Sequence, residues 1–437
     1  MRLFPLLTAA VLVVTMLFAP AHAQEVTEIV FTSGPDGSGS LQRMVDAFNA
    51  LHRGEIRVQW RQMSPENDVH HQELIDDLTS NAGGIDLMAS DVVWTAELAK
   101  NRWVEDLTDR FYDAFEREAF LATPLESATY RLRIWGVPWY ADAGLLFYRK
   151  DKLSESGFTG PPQTWDELQE MARKVMGDSE TPYGYVFQGA EYEGGTVNAA
   201  EFIWSAGGEL MTGQVTVTGL VMTGVTETDV VKVGSDEAAR GLDIARRLIA
   251  AGVSPAAVTN FREQESLDAF LAGDAVFLRS WPYADGYLRR GGFTEEQFGV
   301  ASLPAAVSGG RSASCLGGWN LMINASSSQA EQEAAWTLLR YLIDPAQQRL
   351  QARQAGLLPV LEALYDDADL VGEMPILALG KEVFDEQLHS RPLSPFYSEV
   401  SASIASAFHR ILLGELTGSG AAQLLEKELR AIVIRNR

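Results

Sequence analysis

Strand-like and helix-like patterns alternate along this chain, and no other feature restricts its fold as strongly. "TEIVFTSG" (27–34) reads as a strand running into a Gly/Ser loop. "LQRMVDAFNALH" (41–52) then sets Leu41, Met44, Val45, Phe48 and Leu51 on one helical face. "EIRVQWRQM" (55–63) and "GIDLMASD" (84–91) are the next strands. Helix starts follow at Thr164 with Glu167 and at Ser328 with Glu331, both at capping-box spacing, and at Asp344 with Pro345 behind it. Alternation of this kind builds α/β layers on largely parallel sheets. No repeat or low-complexity linker interrupts it, so two domains would be joined by several crossing strands. The Thr/Val/Gly-rich stretch 212–228 reads as an extended or hairpin excursion on one lobe.

The N-terminus bears on location. Arg2, the apolar run from Phe4 to Ala19 and "AHA" at 21–23 form a secretory signal peptide, with cleavage expected after Ala23. Cys315 is the only cysteine, which excludes a disulfide within the chain and leaves none after the signal to carry a lipid anchor. A soluble, monomeric life in the periplasm is the expectation. The rest of the 437 residues suffices for two domains. A net charge of −24 argues against nucleic-acid binding, since no basic footprint exists to neutralise phosphates. A small neutral ligand is the plain expectation.

Enzymatic motifs are scarce. There is no G-x-S-x-G elbow, and "GPDGSGSL" (34–41) lacks the lysine of a P-loop. His70, His71 and Glu73 do not set two ligands on one helical face, so no metal site and no cofactor are expected, and a solvated helix start is the better reading. Asp91 with Asp142 would serve a secreted glycoside hydrolase only at a defined separation, which a sequence does not reveal. The aromatic residues say more. Trp94, Trp139, Tyr140, Trp281 and Trp319 recur at strand ends beside polar or small groups. In α/β sheets ligands sit beyond the carboxyl ends of strands, and the apolar faces of sugar rings match aromatic platforms edged by carboxylates and arginine. As core residues, the same rings would fit a structural or adhesion protein.

"GVPWYADAGLLFYRKDKLSESGFTGPPQTWDEL" (136–168), "YGYVFQGAEYEG", "SWPYADGY", "LGGWNLMIN" and "RPLSPFYSEVS" follow one another along the chain. Together they resemble the periplasmic solute-binding proteins of ABC sugar importers, family 1, in the trehalose/maltose-binding branch. The resemblance covers essentially the whole mature chain. It implies a two-lobed periplasmic binding protein fold, type II-like, with discontinuous lobes hinged about a cleft. One lobe would hold 24–141 and 319–355, the other 142–318 and 356–437. It implies an α-linked disaccharide or glucoside, such as trehalose, maltose or a glucosyl compatible solute, passed to the membrane permease. Residue by residue it implies ligand contacts from Asp91, with Arg61 beside it, and from Tyr140 and Asp142 at the hinge. Trp281, Tyr283 and Trp319 would stack on or edge the rings. Gly317 and Gly318 would let backbone N–H groups approach, and Arg391 would close the far side. The branch carries a long acidic or aromatic group where residues 37–41 are small here, which leaves room for a bulkier or differently linked ligand.

Overall fold

A computed structural model describes residues 26–80, 84–212 and 230–436. The signal peptide expected at 1–23 and nearly all of the 212–228 excursion lie outside the described residues. At the base of that excursion Met211–Thr212 pairs antiparallel with Val230–Val231.

The strands that organise the chain are β1 (Thr27–Ser33), β2 (Ile56–Gln62), β3 (Leu87–Asp91), β4 (Val137–Ala143), β5 (Leu145–Arg149), β6 (Tyr183–Val186), β7 (Ala275–Ser280), β8 (Phe298–Ala301) and β9 (Ser314–Ile323). The helices used below are α1 (Ser40–Leu51), α2 (Asn67–Ser80), α3 (Glu193–Ser205), α4 (Asp236–Ala250), α5 (Tyr283–Arg290), α6 (Gln329–Ile343), α7 (Pro345–Ala355), α8 (Tyr397–Leu412) and α9 (Gly418–Arg435).

Two sheets define two lobes. The first runs β2-β1-β3-β9-β4, and the second runs β8-β5-β7-β6. The expectation of largely parallel sheets is only partly met. β1 is parallel to β2 and β3, and β7 to β6. β9 is antiparallel to β3 and β4, and β5 to β7 and β8. The antiparallel members are the strands adjoining a passage between lobes, so they enter their sheet from the opposite end.

Local chemistry follows the sequence closely. Ser328 and Glu331 close a full capping box on α6, and Asp344 caps the Ala346 N–H of α7. Thr164 caps its helix through the Glu167 N–H, whereas the Glu167 carboxylate reaches Gln163 instead of the cap residue. Leu41, Met44, Val45 and Phe48 of α1 are buried as their spacing requires, but Leu51, the last residue of the helix, is 70% exposed.

The chain passes between the lobes at Ala143–Leu145, again on entry to β9, and a third time after Leu388–His389, which pairs with Ser314–Cys315. Residues 358–387 pack on the first lobe. Leu358 bridges to Ala141, Leu361 bridges to Phe120, and the Leu121 N–H donates to the Val360 carbonyl at 2.9 Å. The change of lobe therefore falls near residue 390 and not at 355. Since β4 to Ala143 and β9 from Ser314 lie wholly in the first sheet, the expected boundaries at 141/142 and 318/319 move to the end of β4 and the start of β9. The apolar run Leu358, Val360 and Leu361 is what anchors this segment to the edge of β4. α8 then joins α3, α4 and α9 in the second lobe.

Candidate functional site

A cleft of about 430 Å³ opens between the two sheets, in the size range of small-molecule sites. Asp91 enters it as the last residue of β3, and Trp281 as the residue just after β7. Both positions are those where α/β sheets present ligands. Tyr140 and Asp142 come from β4, Gly317, Gly318 and Trp319 from β9, Tyr283 from the start of α5, and Arg391 from the third passage. The rings of Tyr140, Trp281, Tyr283 and Trp319 are all half-buried, so each keeps surface toward the cleft.

The glycines are dictated by packing. Gly317 lies opposite Asp142 in the ladder, and a Cβ there would stand 2.8 Å from the six-membered ring of Trp281. Gly318 has φ +116°, a region open to glycine, and its Cβ position is filled by the Tyr140 carbonyl.

Arg391 is the electrostatic centre. Its side chain is 2% exposed and forms ion pairs with Glu193 and, at 3.5 Å, with Asp91, while Nη2 donates to the Leu316 carbonyl at 3.0 Å. Glu193, the first residue of α3, also accepts from the Tyr397 hydroxyl at 2.6 Å and from the Ser401 hydroxyl. Asp91 accepts from Asn67 at 2.8 Å and from the Val93 N–H at 3.1 Å. One cation thus serves two buried carboxylates. Asp142 is different, since its Oδ1 is buried and has no hydrogen-bond partner among the described residues. Burial pushes its carboxyl up to about 8, with Arg279 opposing the rise and Asp91 adding to it. Burial also raises Asp91, against the pull of Arg391, and holds the Tyr140 hydroxyl well above its usual range. Such a group gains most from a donor arriving with a ligand.

Arg61 is the expected site residue that the structure places elsewhere. It does not line the cleft; its guanidinium pairs with Asp77 of α2. β2 is the outer strand of the first sheet, so a side chain there reaches α2 more readily than the end of β3. Trp94 is core as well, packed edge-on at 5.5 Å beneath Trp319. His70 corrects the reading of a solvated helix start. It is 1% exposed, 4.9 Å from the Trp319 ring, and burial lowers it to about 4, so it is neutral at ordinary pH. His71 turns the other way, onto Glu97 at 2.9 Å.

Glu193, Glu66, Arg262 and Tyr287 line the cleft without having been singled out. Glu66 of the first lobe pairs with Arg262 of the second across the opening. A side chain at Gly37 would stand 3.2 Å from the Tyr287 hydroxyl, so the room left by the small loop is partly filled from the opposite lobe. The one signal for Glu193 was its place in "YGYVFQGAEYEG"; spacing alone does not mark a partner for Arg391.

Two α/β lobes enclosing an aromatic, carboxylate-edged cleft are the architecture of a ligand-binding protein. The chain belongs to the bacterial extracellular solute-binding proteins, whose family pattern matches residues 32–349. A probable ABC transporter-binding protein of Deinococcus radiodurans is 31% identical over 97% of this chain and 98% of its own. Maltose-bound T. maritima MalE3 superposes with a TM-score of 0.82 at 34% identity, over 93% of this chain and 100% of that one. The cyclic alpha-maltosyl-1,6-maltose binding protein from Arthrobacter globiformis shares the fold, with a TM-score of 0.73 at 24% identity over 94% of this chain and all 100% of that one. The family is one of binding proteins, and its members act outside the cytoplasm.

Proposed function

We propose that this protein is the periplasmic receptor of an ABC sugar importer, binding an α-linked glucoside of the maltose or trehalose kind and delivering it to the membrane permease. The observation that carries the reading is the cleft, where half-buried Trp281, Tyr283, Tyr140 and Trp319 stand beside Asp91, Asp142 and Arg391, drawn from both lobes. The likeness to a maltose-bound protein at 34% identity supports the sugar class. Sugar rings place C–H faces on the aromatics and hydroxyls on the charged rim. A micromolar ligand needs about 8.2 kcal/mol net, within reach of a few stacked rings and charge-assisted hydrogen bonds at roughly 1.5–3 kcal/mol each, after ordering costs. Asp91 and Asp142 act here as acceptors for sugar hydroxyls and carry out no hydrolysis.

Because the contacts come from two lobes, the full set forms only when they approach, and the ligand's preference for the closed form drives closure about the passages at Ala143–Leu145 and β9. Calorimetric titration with maltose, maltotriose and trehalose tests the reading, with chromatography of the sugar afterwards. Saturable binding with intact sugar is expected, and binding of none of the three, or release of monosaccharide, would overturn it. Small-angle scattering with the bound sugar should give a smaller radius of gyration. An unchanged profile under saturation would mean a rigid cleft or a ligand held by one lobe.

Trp281→Ala should raise the Kd of the bound sugar at least tenfold, since about 1.4 kcal/mol is one decade. Its melting temperature without sugar should stay within a few degrees of wild type, because the ring is only half-buried. A mutant that fails to fold would make this ring a core residue, and unchanged affinity in a folded mutant would remove it from the platform.

A further inference from the structure

Behind the cleft, Arg279 and Glu201 form an ion pair whose side chains are 1% and 3% exposed. Arg279 is the penultimate residue of β7, a strand buried along its whole length. Its Nη2 and Nε donate to the two oxygens of Glu201 at 2.6 and 2.9 Å, and Nη1 donates to Gln188 at 3.4 Å. This two-pronged contact fixes the plane of the guanidinium. The guanidinium carbon stands 4.0 Å from the centre of the Trp281 ring, at close cation–π range.

The same pair touches two passages between the lobes. The Cys315 N–H, at the start of β9, donates to Glu201 at 3.2 Å. At Gly144, between β4 and β5, the space for a Cβ is filled by Glu201 and Arg279. The Ser314 hydroxyl ties these passages together by donating to the Gly144 carbonyl at 2.8 Å. A buried ion pair adds little net stability over two well-packed apolar side chains. What this one supplies is direction, from two crossing strands to a single ring.

We propose that Arg279 and Glu201 are positioning residues for the ligand platform. The pair holds the Trp281 ring at a fixed angle and registers it to both passages, so that motion of one lobe against the other carries the ring with it. The inference rests on the reading that Trp281 contacts the sugar.

The test is a double-mutant cycle between the pair and the ring. The combined variant Glu201→Met with Arg279→Met removes both charges, so neither is left buried alone. It should raise the sugar Kd about tenfold in the wild-type background and less than twofold when Trp281→Ala is already present. Equal effects in the two backgrounds, or an unchanged Kd, would overturn the proposal. A second measurement needs no sugar. The near-ultraviolet circular dichroism of Trp281, taken as wild type minus Trp281→Phe, should shrink when the Met pair is introduced, and an unaltered difference spectrum would also overturn it. If the wild type takes up no sugar while this spectral change is seen, the sugar reading fails and the positioning of the ring stands. Should the Met pair fail to fold, Arg279→Lys keeps the charge, breaks the fork and serves in both measurements with the same expected directions.

Discussion

Asp142→Asn is expected to remove a fall in folding stability that burial of this carboxyl predicts for the wild type as the pH rises from about 4 to about 8. Burial keeps the proton on Asp142 up to about 8 in the folded chain, whereas the unfolded chain releases it near 3.8. Between these values the unfolded state holds fewer protons, so stability declines with rising pH, by at most about 1.4 kcal/mol per unit. The contribution is complete below the unfolded value and gone above the folded one. Asparagine has no proton to lose, and the variant should lack this part of the slope. Urea midpoints at pH 5, 6, 7 and 8 measure it, and parallel profiles for the two proteins would refute the assignment. Sugar should act against the same proton. A hydroxyl donated to Oδ1 favours the carboxylate, so binding near neutral pH should release a proton, visible as a buffer-dependent enthalpy.

Arg391→Ala should be the most damaging single substitution in the cleft. It strips the cation from Asp91 and Glu193 and the donor from the Leu316 carbonyl, all in a region closed to solvent. Breaking a buried pair by removing one partner costs about 3–5 kcal/mol, because the remaining charges stay buried without compensation. Thermal melts should show a marked drop in midpoint, and sugar affinity should fall by about two decades or more, since two carboxylates lose their fixed positions. A variant with an unchanged melt and wild-type affinity would remove Arg391 from the centre of the site.

The legible parts of this molecule were those governed by local rules. Caps at Thr164, Ser328 and Asp344 formed where hydroxyls and carboxylates preceded apolar periodicity. Asp91 and Trp281 fell at strand ends, and the cleft gathered them with Gly317, Gly318 and Trp319. What stayed hidden depended on partners far apart in the chain. Arg61 turned to Asp77 because β2 lies at the edge of its sheet, a fact of strand order. Glu193 became the partner of Arg391 across nearly two hundred positions, with nothing in either segment to announce it. Arg279 carried a clue that went unused. A charge inside the apolar run "AVFLRS" has to find a buried partner, and Glu201 is that partner. The attachment of residues 358–387 was equally opaque, since an apolar helix or loop does not say which of two sheets it will cover.

β9 bears on how the protein is made. It fills the place between β3 and β4, yet it begins at Ser314 while β3 ends at Asp91. During synthesis the first sheet therefore waits with a gap at its centre until the intervening lobe and β9 itself have emerged. Strand pairings this far apart in the sequence slow folding, because the loop between them must close first. The early strands stay unpaired at β3 and β4 for the whole interval, exposed to wrong partners and in need of protection. The topology that builds a two-lobed cleft thus also sets a timetable, with the N-terminal lobe among the last parts to become stable.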